Sequence, residues 1–222
     1  MTMYTRSRFG AVVLTLALTL GTAHAADVQE LVHETQRSGS GDGYITMVWW
    51  LPHQFWEETM KANPMLNEAG RQQVLDMIGD YTVLAMMRAR PSLGGLTDAT
   101  PKAELLQNTR VEFNGKRVEP VPPEQVAPGA QLLLAQMKPA LAAVAGQVGQ
   151  NLEFVVYPGS IDGKPIDAAQ PGSLSVTFFQ QPFGWRLPLG SLLPKRVDRN
   201  TGEEFPGNYN FNPYTGEKLA PK

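Results

Sequence analysis

The sequence predicts an α+β fold in which helices pack on a largely antiparallel sheet. Three observations predict it. Tight-turn dipeptides, Asn114-Gly115 and Asp162-Gly163, interrupt strand-like runs as hairpin tips do. Helical patterns follow Pro52 and Asn67 and fill 129–149. The regular strand–helix alternation of a parallel sheet is missing. A β-sandwich with inserted helices is the other arrangement this pattern allows.

The elements follow in chain order. Residues 27–37 place Val28, Leu31 and Val32 at helical spacing. Ser38 to Gly43, SGSGDG, reads as a flexible joint, so the folded domain is expected to begin at Tyr44. Tyr44 to Leu51 is apolar on both faces, as in a strand covered on both sides. Pro52 opens a helix that Asn63-Pro64 ends, and Asn67 caps a second one to about Gly79. Tyr81 to Ala89 is a strand. Asn108 to Pro120 is a hairpin with its tip at Asn114-Gly115. The helix over 129–149 must kink or split at Pro139. Asn151 to Tyr157 is a strand, and a last hairpin runs from Ser173 to Leu187 with its turn near Pro182.

Residues 1–25 read as a secretory signal peptide. Arg6 and Arg8 precede the apolar core AVVLTLALTL, and Ala23-His24-Ala25 has the small-x-small form of a cleavage site. That core is too short to span a bilayer, which needs about 18 residues or more. The expected address is therefore export, into the periplasm of a Gram-negative bacterium. Residues 26–43 then form a short helix and linker, 44–193 the main domain, and 194–222 a C-terminal appendage. No integral membrane span is expected in the mature chain.

Composition narrows the function classes. Lys+Arg is 19 against Asp+Glu 21, a net charge of -2, so no basic surface for nucleic acid is expected. Cysteine is 0, which excludes disulfides, thiolate metal sites and thiol nucleophiles. No Gly-x-Ser-x-Gly elbow or phosphate-binding glycine loop occurs. His53 and Glu57 are one helical turn apart, too few ligands for a metal site. Asp162 and Asp167 could pair as catalytic carboxylates, but turn-shaping is the commoner use of such residues. No catalytic residue, cofactor or metal is assigned.

Two sets of residues are candidates for binding. Trp50, Trp56 and Trp185, with Arg186, could line an aromatic groove for a small ligand. Tyr209, Phe211 and Tyr214 could form a contact surface on the C-terminal segment.

That segment carries a repeat. Thr201-Gly202-Glu203 recurs as Thr215-Gly216-Glu217, and ten residues, 202–211, separate Thr201 from Asn212. Over residues 194–219 the pattern resembles a zinc ribbon whose ligands have been replaced. The ribbon pattern is two knuckles, each Cys-Pro-x-Cys-Gly, joined by a hairpin. The first knuckle here is Asp198 to Gly202, and the second is Asn212 to Gly216. Asp198, Thr201, Asn212 and Thr215 then stand at the four cysteine positions. The resemblance implies a metal-free hairpin that serves as a contact module. A metal usually supplies the folding energy of so small a unit, so something must replace it. Phe205, Tyr209, Phe211 and Tyr214 are the expected replacement, by packing. The function expected from these readings is a non-catalytic exported adaptor that binds an envelope protein. A small-ligand binder and an envelope hydrolase acting through Glu57, Asp162 or Asp167 are the alternatives.

Overall fold

The computed structural model describes residues 22–144 and 146–222. The apolar core of the expected signal peptide lies outside them. The fold is α+β, and every paired strand is antiparallel.

The described residues start with α1 (Thr22–Thr35), β1 (Gln36–Gly41), β2 (Tyr44–Leu51), α2 (His53–Lys61) and α3 (Glu68–Ile78). Next come β3 (Tyr81–Ser92), β4 (Gly95–Thr97), α4 (Lys102–Gln107), β5 (Thr109–Phe113) and β6 (Lys116–Val118). Then follow α5 (Pro128–Val144), β7 (Glu153–Pro158), β8 (Ser160–Ile161) and β9 (Lys164–Pro165). The hairpin β10 (Gly172–Phe178) and β11 (Gln181–Leu187) precedes the short strands β12 (Arg196–Val197), β13 (Glu204–Phe205) and β14 (Ala220–Pro221).

One sheet runs β1-β2-β3, with β7 paired to residues 81–86 of the long β3 and β4 to its residues 90–92. A second runs β11-β10-β5-β6. The first is the middle of three layers. Alternation sends Trp49 and Trp50 to opposite faces. Trp49 meets Phe55 of α2 edge-on at 5.6 Å, and Trp50 meets Trp185 of β11 at 6.0 Å. Helices therefore cover one face and the second sheet the other. This is why β2 is apolar throughout. The second sheet alternates instead: Leu174, Val176 and Phe178 are buried, as are Phe183, Trp185 and Leu187, while the residues between them are not. Its outer face meets solvent.

The caps read from sequence are present at α3, where the Asn67 Oδ1 accepts from the Gly70 N–H at 2.9 Å. Helix α5 runs through Pro139 without splitting. The turn between β10 and β11 is Phe179-Gln180, both at positive φ (46° and 65°), and not at Pro182. Neither residue is a usual turn former. Phe179 is held by its N–H donating to the Asn108 carbonyl at 2.9 Å and by the Arg88 guanidinium 4.3 Å above its ring.

The expected linker is a correction. Residues 36–41 are strand β1, paired along its length with β2. Asp42-Gly43, at φ 52° and 76°, is its hairpin turn. Gly39 and Gly41 provide clearance rather than slack. A Cβ on Gly39 would stand 2.8 Å from Gln181 Oε1 and 3.0 Å from Thr46 Oγ1. Those two groups are linked at 2.8 Å and tie the two sheets together. The end of α1 is equally integral. Thr35 is fully buried, its Oγ1 accepts from the Trp49 indole at 3.1 Å, and its carbonyl accepts from the Trp185 indole at 3.1 Å.

Candidate functional site

The C-terminal segment folds as two similar turns, and the backbone explains both. In the first, Asp198 Oδ1 accepts from the N–H groups of Asn200 (2.9 Å) and Thr201 (3.3 Å), and the Gly202 N–H returns to the Asp198 carbonyl at 2.8 Å. In the second, Asn212 Oδ1 accepts from Tyr214 (2.9 Å) and Thr215 (3.4 Å), and the Gly216 N–H returns to the Asn212 carbonyl at 2.8 Å. Gly202 and Gly216 both lie at φ 75°, which glycine adopts without strain. Thr201 Oγ1 and Thr215 Oγ1 accept from the Glu203 and Glu217 N–H groups at 3.2 and 3.3 Å. Each turn thus repeats the other bond for bond.

The turns meet at their first residues. Asn212 Nδ2 donates to Asp198 Oδ2 at 2.6 Å, and each of the two residues is only 2 % exposed. Asn200 also donates to the Glu217 carboxylate across the gap. The hydrogen bonds from Asn212, then from the Asn200 and Thr201 backbone, hold the Asp198 carboxyl below the usual carboxylate range. Thr201 and Thr215 are on the surface.

The unit docks on its own chain. Gly207 donates its N–H to the Gly190 carbonyl at 3.0 Å, while inside the unit Lys222 donates to the Lys195 carbonyl at 3.1 Å. Glu34 of α1 accepts from the Gly190 and Ser191 N–H groups at 2.6 and 2.8 Å, and Glu30 pairs with Lys195 at 3.0 Å.

The aromatic residues divide. Phe205 is buried, 6.5 Å from the ring of Tyr209 and 6.4 Å from that of Tyr214. Tyr209, Phe211 and Tyr214 are 41 %, 58 % and 82 % exposed. The four rings therefore do not pack together as a buried cluster, and the buried Asp198–Asn212 bond spans the centre between the turns.

The expected aromatic groove is a second correction. Trp50, Trp56 and Trp185 are 0 %, 0 % and 2 % exposed and belong to the core. Arg186 is exposed on the opposite face of β11 from Trp185, as alternation requires. The cation over the Trp185 ring is Arg37, at 5.5 Å.

The carboxylates considered for hydrolysis have other partners. Glu57 faces His53 at 3.5 Å on the surface, and Asp162 pairs with Lys116, which lowers its pKa. Asp167 accepts from the Gln54 amide at 2.6 Å and the Ala169 N–H at 2.8 Å. Among the described residues, no three His, Asp or Glu side chains gather closely enough to hold a metal ion. No helix among them is long and apolar enough to cross a membrane.

Sequence reasoning missed a cleft of about 420 Å³ between α4, α5, β7 and the segment 120–126. Its signal was the run Pro120-Val121-Pro122-Pro123, which cannot form a full strand and so leaves its neighbour incompletely paired.

No known protein family, curated protein or solved structure is found to match the chain.

Proposed function

We propose that this protein is a non-catalytic exported adaptor, and that it binds a partner protein of the cell envelope through Tyr209, Phe211 and Tyr214. One observation carries the reading. Six large apolar side chains are exposed among the described residues, and three of them fall within residues 209–214. Aromatic residues gathered on one small, internally fastened unit suit the anchoring part of an interface. Export fits the leader-like residues 1–25. Cleavage after Ala25 would leave Glu30, Glu34 and Thr35 of α1 in place. Substituting Phe211→Ser and Tyr214→Ser together is expected to leave the fold intact and to weaken partner binding at least about tenfold. Crosslinked purification from the native envelope, read by mass spectrometry, measures this. Undiminished recovery of a stoichiometric partner would sink the placement.

The C-terminal unit itself is, in this reading, a zinc ribbon that lost its metal. The paired turns around Asp198 and Asn212 support it. Placing Cys at 198, 201, 212 and 215 is expected to create a tetrahedral thiolate site, visible as the charge-transfer and d–d bands of bound Co²⁺. Absence of those bands in a folded variant would mean that the four positions do not converge.

A further inference from the structure

Strand β7 has one edge on β3 and the other in the cleft. The Val156 carbonyl points away from β3, because it accepts from the Val121 N–H at 2.8 Å. Antiparallel strands alternate, so the N–H and C=O of Phe154, two residues back, point the same way. Phe154 pairs with Ala85 on the β3 side, a position where neither group bonds across. Segment 120–123 cannot extend the pairing toward Phe154, because Pro120, Pro122 and Pro123 have no N–H. Among the described residues, neither outward group of Phe154 finds a partner, although the residue is only 8 % exposed.

The surrounding wall is apolar, from Leu106, Val121, Leu134 and Val156. Its two lysines differ. Lys138 is matched by Glu153 at 3.0 Å, whereas Lys102 is exposed with no carboxylate within 4 Å among the described residues. A site with an apolar wall, one spare cation and an outward N–H and C=O has a matching ligand chemistry. An acyl chain would fill the volume and leave both backbone groups buried without partners, at a cost. An extended peptide would satisfy both while its side chains fill the wall.

We propose that this cleft binds a short apolar peptide strand bearing one acidic side chain, added to the edge of β7, with the carboxylate at Lys102. The surface is separate from the aromatic residues of the C-terminal unit, so each proposal can fail alone.

The test uses the full chain and a library of end-blocked pentapeptides built from Val, Leu and Phe with one Glu. Binding is read by titration and by amide hydrogen exchange at Phe154. The expected result is a binder that slows exchange of the Phe154 N–H at least about tenfold. Glu→Gln in the peptide, or Lys102→Gln in the protein, should weaken it about three- to tenfold. N-methylation of the peptide bond facing Phe154 should abolish it, as should Leu106→Trp. No binder in the library overturns the proposal. Dodecanoate that binds and excludes the peptides without protecting the Phe154 N–H also overturns it, in favour of an acyl site.

Discussion

Asp198→Asn is expected to open the C-terminal unit about tenfold more often, and so is Asn212→Asp, whereas the double exchange should return it to near the starting value. The reason is a shortage of acceptors. Each residue spends one side-chain oxygen on its own turn, which leaves one atom facing the partner. In the native pair those atoms are an oxygen and an N–H₂ at 2.6 Å. Asp198→Asn sets two donors against each other in a site that is 2 % exposed. Neither can rotate away without abandoning its own turn. Asn212→Asp sets two acceptors there, both charged. The double variant restores one donor and one acceptor with the roles exchanged. Amide exchange at Thr201 and Thr215 reads the opening. If the double variant is as open as the worse single one, this bond does not hold the turns together.

The same pair sets opposite responses to acid. The folded Asp198 carboxyl is held below its unfolded value, so its stabilising contribution is present above that value. It is lost as pH falls through the lower folded one. Asn212→Asp should reverse the slope. Two facing carboxylates share a proton, the pair takes it up above the ordinary carboxylate range, and the variant gains stability on acidification from neutral pH. Asp198→Asn should show neither response. Local opening between about pH 3 and pH 7 distinguishes the three.

Much of the fold was legible because it rests on local rules. Asn114-Gly115 and Asp162-Gly163 are turns at positive φ, as their types require. Asn67 caps its helix, and β2 is apolar because it lies between two layers. The misreadings share a cause, which is that composition does not tell clearance from slack. SGSGDG has the composition of a linker, yet Asp42-Gly43 is the same turn dipeptide found at 162–163. Gly39 and Gly41 lie against the amide of Gln181, a residue 142 and 140 positions away from them. Trp185 and Arg186 were grouped by adjacency, although a strand sends neighbours to opposite faces. The repeat at 201 and 215 was visible in one sequence. The bond between Asp198 and Asn212 was not, because nothing local says that two turn-forming side chains also meet. The cleft was hidden for a similar reason, since it depends on which strand Val121 reaches.

Gly207→Ala is expected to detach the C-terminal unit from the main domain while leaving the main domain folded, at a cost of about 3 kcal/mol. The added Cβ would stand 2.4 Å from Leu193 Cβ and 2.5 Å from the Pro194 carbonyl oxygen. That oxygen is backbone, so no side-chain rotation relieves the clash. Moving apart would break the Gly207–Gly190 hydrogen bond at 3.0 Å. Two other glycines separate this cause from lost backbone freedom. Gly202→Ala meets nothing within 4 Å but must adopt φ 75°, so it should cost about 1 kcal/mol without detachment. Gly94→Ala meets nothing and has no positive φ, so it should be close to neutral. Limited proteolysis near 190–195 and thermal melting rank the three. If Gly202→Ala releases the unit as readily as Gly207→Ala, turn geometry holds it in place and close approach does not. Release by Gly207→Ala alone would mean that the aromatic surface keeps a fixed orientation because Gly207 packs directly on Leu193 and Pro194 with no Cβ of its own.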